Sequence, residues 1–244
     1  MGIQPQLKTG EIYKKILASI NAGDLLIPET ELYQLLREAR QIPLKAESLS
    51  IQGLLYIIWG KIDEGIRLNE EAINEDPYTP AIWLNYALAI GRRCKYKKQR
   101  EILQRAIKYE SPLSIKAALT NALQWPNAEL VVLSMTLIEK LKIKITGIDY
   151  NDAMRMLIMI EDDNELAIAM SRVVECAMEV AEQNNIKYKS TYIDQFMDED
   201  PCFICRIGEA TAEEISDLNE SLAISIVRNG LAGSPALAMF ERGE

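Results

Sequence analysis

The chain has 244 residues, is 48% apolar and carries a formal net charge of −9. This much apolar content excludes a disordered chain, and an acidic balance of this size argues against general affinity for nucleic acid. Histidine is absent. That removes the commonest general base, the commonest metal ligand and every Ser–His or Cys–His pair, so neither enzymatic activity nor a cofactor is expected.

Residues 1–10 are polar and unlike a signal peptide. The longest apolar run, residues 54–59, is far short of a membrane span. Four cysteines without a secretory signal point to free thiols in a cytoplasmic protein. Residues 8–21 place Ile12, Ile16, Leu17 and Ile20 on one helical face, and Gly23 closes that helix. Pro28 opens a second helix with Leu32, Leu35, Leu36 and Ala39 inward. Pro43 lies 34 residues before Pro77, so this pair is read as a degenerate first repeat.

Residues 46–79 organise the rest. Gly53, Tyr56, Gly60, Gly65, Ala72 and Pro77 are spaced as two helices joined by a tight turn at Gly60, and Gly53 and Gly65 would let the two backbones approach closely. The segment resembles a tetratricopeptide repeat, with Leu49 in the Trp slot, Gln52-Gly53 in the Leu-Gly slot and Tyr56 in the Tyr slot. Asn69 departs from the pattern, because the family has a bulky apolar residue there. Residues 80–113 continue the register: Trp83, Ala87, Ile90, Leu103 and Ala106 fall in repeat slots, whereas Gln99 replaces a small residue. The resemblance implies a mainly α fold, a solenoid of stacked helical hairpins, over residues 1–184.

Helical periodicity persists after the pattern fades. Helices are expected over residues 113–124, over residues 129–141 with Leu130, Leu133, Leu137 and Leu141 in a stripe, from Asp149 or Asn151 to Ile160, and over residues 165–183. Residues 185–244 are expected to form a small α+β appendix. In it, residues 202–207 read as a strand, Thr211 and Glu214 make a capping box for a helix to about Arg228, and residues 236–240 give a second strand. The appendix either caps the solenoid or serves as a separate interaction element.

Three features could carry chemistry. Cys202 and Cys205 form a C-x-x-C pair, but residues three apart in a strand point to opposite faces and cannot meet one ion. The acidic runs at residues 161–163 and 198–200 lack the spacing of a calcium loop and read as solvated charge. Met154, Met156, Met159, Met170 and Met178 recur at helical spacing, which fits core filling more often than a binding face. Residues 92–108 hold eight basic side chains against Glu101 alone; an alternative role is association with nucleic acid or an acidic partner there, although only Tyr96 could stack.

The resemblance implies that the first helix of each pair lines a concave groove. Leu54, Ile57, Ile58, Leu84 and Leu88 are then expected to make that groove apolar, with Arg92 at its rim. The expected function is a protein-binding scaffold (an adaptor, chaperone or regulator) gripping an apolar peptide or helix through these six residues. The groove could instead be buried internally, by the C-terminal appendix or by homodimerisation.

Overall fold

In the computed structural model the chain is described over residues 5–145, 148–194 and 200–243. It is mainly α, with eleven α-helices and three strands among the described residues. The order is α1 (Pro5–Ala22), α2 (Glu29–Arg40), α3 (Lys45–Ile58), α4 (Ile62–Glu75), α5 (Pro80–Arg92), α6 (Tyr96–Ala106), α7 (Pro112–Gln124), α8 (Ala128–Lys140), α9 (Ile148–Asp162), α10 (Asn164–Gln183), β1 (Tyr188–Asp194), β2 (Cys202–Ile207), α11 (Ala212–Arg228) and β3 (Leu237–Arg242). No helix among them is long and apolar enough to cross a membrane. The chain forms two compact units, residues 1–114 and 115–244. Sequence reasoning drew a boundary at 184/185 instead; α10 packs on β3 and α11, which ties the sheet to the helices before it.

In the first unit, α3 and α4 share the most extensive helix–helix contact, followed by α5 and α6. The reason is close approach at small residues. A Cβ on Gly53 would lie 2.9 Å from the Gly65 carbonyl oxygen, and one on Gly65 would lie 2.8 Å from the Gly53 oxygen and 2.5 Å from Ile57 Cγ1. The same gap explains Asn69, which is fully buried and donates from Nδ2 to the Gly65 oxygen at 2.9 Å. An Nδ2 atom 2.2 Å from where a Gly53 Cβ would stand fits only because position 53 is glycine.

The next hairpin solves the same crossing with the sizes exchanged. Positions 91 and 99 follow 57 and 65 by 34 residues. Where Ile57 faces Gly65, Gly91 faces Gln99, whose amide carbon would lie 2.4 Å from a Cβ on Gly91. The turns match as well. Gly60 (φ 86°) ends α3 in the left-handed region, and Cys94 (φ 56°), 34 positions later, ends α5 there. Both helices finish with the same pair of bonds, Gly60 N to Ile57 O and Lys61 N to Tyr56 O in one, Cys94 N to Gly91 O and Lys95 N to Ile90 O in the other.

The α4, α5 and α6 helices are also joined by charge. Glu70 accepts two bonds from Arg105, at 2.9 and 2.6 Å, and one from the Tyr86 hydroxyl at 3.3 Å, with Lys98 3.6 Å away. Burial pushes the Glu70 carboxyl upward, but the Arg105 bonds and the charges of Arg105 and Lys98 outweigh it, so the group titrates below the usual carboxylate range.

In the second unit, α8, α9 and α10 pack together, and α10 and α11 pack on β3 of a three-stranded sheet of order β1-β2-β3. β1 runs antiparallel to β2, and β3 parallel to it through the α11 crossover. The capping box at Thr211 and Glu214 forms as its spacing predicts. Phe203 and Cys205 are fully buried on one sheet face, with Trp125 against Phe203 at 5.6 Å. Two expectations change. β1 is a strand where only a composition break was read, and in α8 the inward stripe is Leu130, Val131, Ser134, Met135 and Ile138, with Leu133 turned out to solvent.

The crossing makes Gly65→Ala destabilising by about 1–2 kcal/mol, because overpacking against backbone exceeds the helix propensity of about 1 kcal/mol that alanine gains. Gly208→Ala, with open space around it, should change the urea midpoint little.

Glu70→Gln should cost about 1–2 kcal/mol at neutral pH. The folded carboxyl titrates below its unfolded value of about 4.5. Its stabilisation is therefore present above that pH and lost as pH falls through the folded value. The variant should flatten this part of the acid limb in denaturation curves measured from pH 7 to 3.

Candidate functional site

The expected groove residues divide into two sets. Leu54, Ile57 and Ile58 are at most 2% exposed, so they present no surface to a partner. Leu84 and Leu88 are half-buried and Arg92 is exposed. Two contacts account for this. Ile57 points into the α3–α4 crossing at Gly65. And α1 packs on α3 and α5, more than on the α2 helix with which it was expected to pair. The buried face of α1, Ile12, Ile16 and Ile20 at spacing four, supplies the cover.

The end of α1 is fixed in place. Gly23 adopts φ 69°, and a Cβ there would lie 2.0 Å from the Arg92 carbonyl oxygen. Arg93 donates to the Gly23 oxygen at 2.5 Å and to Asp24 Oδ1 at 2.8 Å. The connection at residues 23–28 lets α1 leave α2 and lie along α3 and α5 instead. The expected groove on α3 and α5 is thus covered by the chain's first helix.

The basic segment is partly engaged within the first unit. Arg93 pairs with Asp24, while Lys98 and Arg105 pair with Glu70 and Glu101. Arg100 is 5% exposed. These pairings take up part of the positive charge that a phosphate backbone would need.

An open concavity lies in the second unit, a cleft of about 670 Å³. The end of α7, the facing residues of α9 and α10, and β1 surround it. Met156, Met159, Leu166 and Ile193 give it an apolar lining, and among the described residues Asp152, Asp162, Asp163 and Asp194 bring four carboxylates against the guanidinium of Arg155. Met156 is buried, Met159, Leu166, Ile193, Asp152 and Asp194 are half-buried, and Ile158, Asp162 and Asp163 are exposed, so two of the acids stand at the mouth beside an exposed isoleucine. Asp163 also caps α10, accepting from Leu166 N at 2.9 Å, and Asp152 lies 3.6 Å from Arg155.

The β1 wall is braced across the sheet. Arg206 Nη2 donates to Tyr192 Oη at 2.7 Å, the Tyr192 hydroxyl donates to Glu241 at 3.1 Å, and Arg206 pairs with Glu241. The Arg206 guanidinium also covers the Tyr192 ring at 4.6 Å. Each strand contributes one member of this set.

Sequence reasoning singled out Met156, Met159 and the acidic run at 161–163 but gave them no common site; the turn between α9 and α10 brings them together. The acidic run at 198–200 lies mostly outside the described residues. The Tyr192, Ile193 and Asp194 wall was missed, though Tyr-x-x-x-Tyr-Ile from position 188 is β-prone and bounded by Asn184-Asn185 and Pro201. The two cysteines of β2 do face opposite sides. Burial, followed by the Asp194 and Glu241 charges, raises the Cys202 thiol, and burial pushes Cys205 up to about 12. Among the described residues no cluster of His, Cys, Asp and Glu could hold a metal ion. Comparison with protein-family models, curated proteins and solved structures gave no match.

If α1 closes the groove as a structural helix, Ile16→Ala should cost about 2–4 kcal/mol. Hydrogen exchange should then speed up in α1 and in the facing parts of α3 and α5 before it does in α9 and α10.

Proposed function

We propose that the chain is a protein-binding scaffold whose ligand site is the cleft of the second unit. The ligand is a segment of another protein that combines Lys or Arg with aliphatic side chains. One observation carries this reading: apolar side chains that share one cleft with four carboxylates and one guanidinium among the described residues. Methionine side chains adapt to varied apolar partners, and the acidic mouth favours cations by charge complementarity, which chiefly raises association rate and selectivity. In the first unit, the helical-repeat register proposed from the sequence is supported by the 34-residue recurrence of the crossing and its turn. In this reading that unit is a framework whose groove is already occupied by α1.

A cationic amphipathic peptide should bind saturably, and the double variant Asp162→Lys, Asp194→Lys should weaken it at least about tenfold. Raising salt from about 0.05 to 0.5 M should weaken binding several-fold, since exposed charges are screened. Isothermal titration of wild type and variant checks both. Binding that ignores the double variant removes the cleft as the site.

A further inference from the structure

Four consecutive residues of β1, Thr191, Tyr192, Ile193 and Asp194, border the one cleft. Side chains of successive strand residues point to opposite faces. A single concavity touches all four only along the edge of the strand. β2 occupies one edge of β1, so the cleft runs along the other.

The two outer edges of the sheet are treated differently. On β3, Asn219 of α11 donates from Nδ2 to the Phe240 oxygen at 2.9 Å and accepts from Phe240 N at 2.8 Å. An amide side chain thereby imitates a neighbouring strand and closes that edge. On β1, the register irregularity between Tyr188 and Ser190 interrupts the first half. Residues 191–194 are in regular register with Cys205 to Cys202, and no backbone partner other than β2 is found for them among the described residues. Such an edge is a template for another extended chain.

We infer that the ligand enters as a fourth strand, pairing its backbone with residues 191–194 of β1; this rests on the cleft being the binding site. Strand addition also dictates the ligand's sequence pattern. Ile193 pairs with Phe203 and Thr191 with Cys205, on the buried face, whereas Asp194 and Tyr192 lie on the other face with Cys202 and Ile204. A strand docked beside them alternates in the same way, with aliphatic residues toward the Ile193 side and cationic ones toward Asp194. The occupant is therefore an extended segment of alternating aliphatic and basic residues. A second copy of this chain is disfavoured, because pairing two β1 edges would bring the acidic mouths of both clefts together.

The test uses the full chain and a nine-residue alternating Val–Lys peptide. Its comparators are an alternating Val–Glu peptide and the Val–Lys peptide N-methylated on every backbone amide. Binding of the Val–Lys peptide, loss of at least tenfold in affinity on N-methylation, no binding of Val–Glu and slowed amide exchange at residues 191–194 support strand addition. If the N-methylated peptide binds equally, yet Asp162→Lys with Asp194→Lys still abolishes binding, strand pairing fails and the cleft site stands. If Val–Lys does not bind, or binds regardless of that double variant, the cleft reading fails as well. A dimer in sedimentation with residues 191–194 protected in the absence of peptide makes a second copy the occupant and overturns the proposal.

Discussion

The first unit depends on how closely α3 and α4 can approach. Two carbonyl oxygens, of Gly53 and Gly65, occupy the space in which side chains would otherwise keep the helices apart. Packing at this distance excludes most residue types at four positions at once, 53, 57, 65 and 69. It also gives the amide nitrogen of a buried asparagine a partner in the Gly65 oxygen, while Asn69 Oδ1 has no hydrogen-bond partner among the described residues. The α5–α6 crossing keeps the spacing but moves the glycine to the other helix, opposite Gln99. What recurs is thus the sum of two side-chain volumes rather than either residue.

Closing the hairpins this tightly leaves α3 and α5 with a further apolar side, and that side cannot remain in water. Here α1 meets the requirement. Its isoleucines are buried, and its end is locked by Gly23 against α5 and by Arg93 to Gly23 and Asp24. The same economy holds for charge. Glu70 draws Lys98 and Arg105 onto the hairpins, so a run that is strongly basic along the sequence is partly neutralised in space.

The second unit has an open cleft. Its sheet has two edges, one closed by the amide of Asn219, the other facing a cleft lined by methionines and carboxylates. The Arg206–Tyr192–Glu241 set stiffens β1 from the opposite edge. An incoming strand would therefore meet a preorganised template, which lowers the ordering cost of binding. In the proposed role, the first unit contributes stability and the second contributes recognition.

Sequence alone determined what is local. Pro28 at a helix start, Gly23 and Gly60 at ends, the Thr211–Glu214 box and the β2 strand all depend on contacts within a few residues, and each formed as its pattern requires. The close approach of Gly53 to Gly65 was legible for a related reason: a 34-residue period leaves few ways to pair its small residues. What fills the apolar side of α3 was not legible, since α1, the C-terminal segment and a second copy all carry suitable apolar residues. Nor was β1, an edge strand whose half-exposed residues give little alternation to read. The cleft was hidden for the same reason, because its acids, methionines and strand lie on separate segments that only tertiary packing brings to one place.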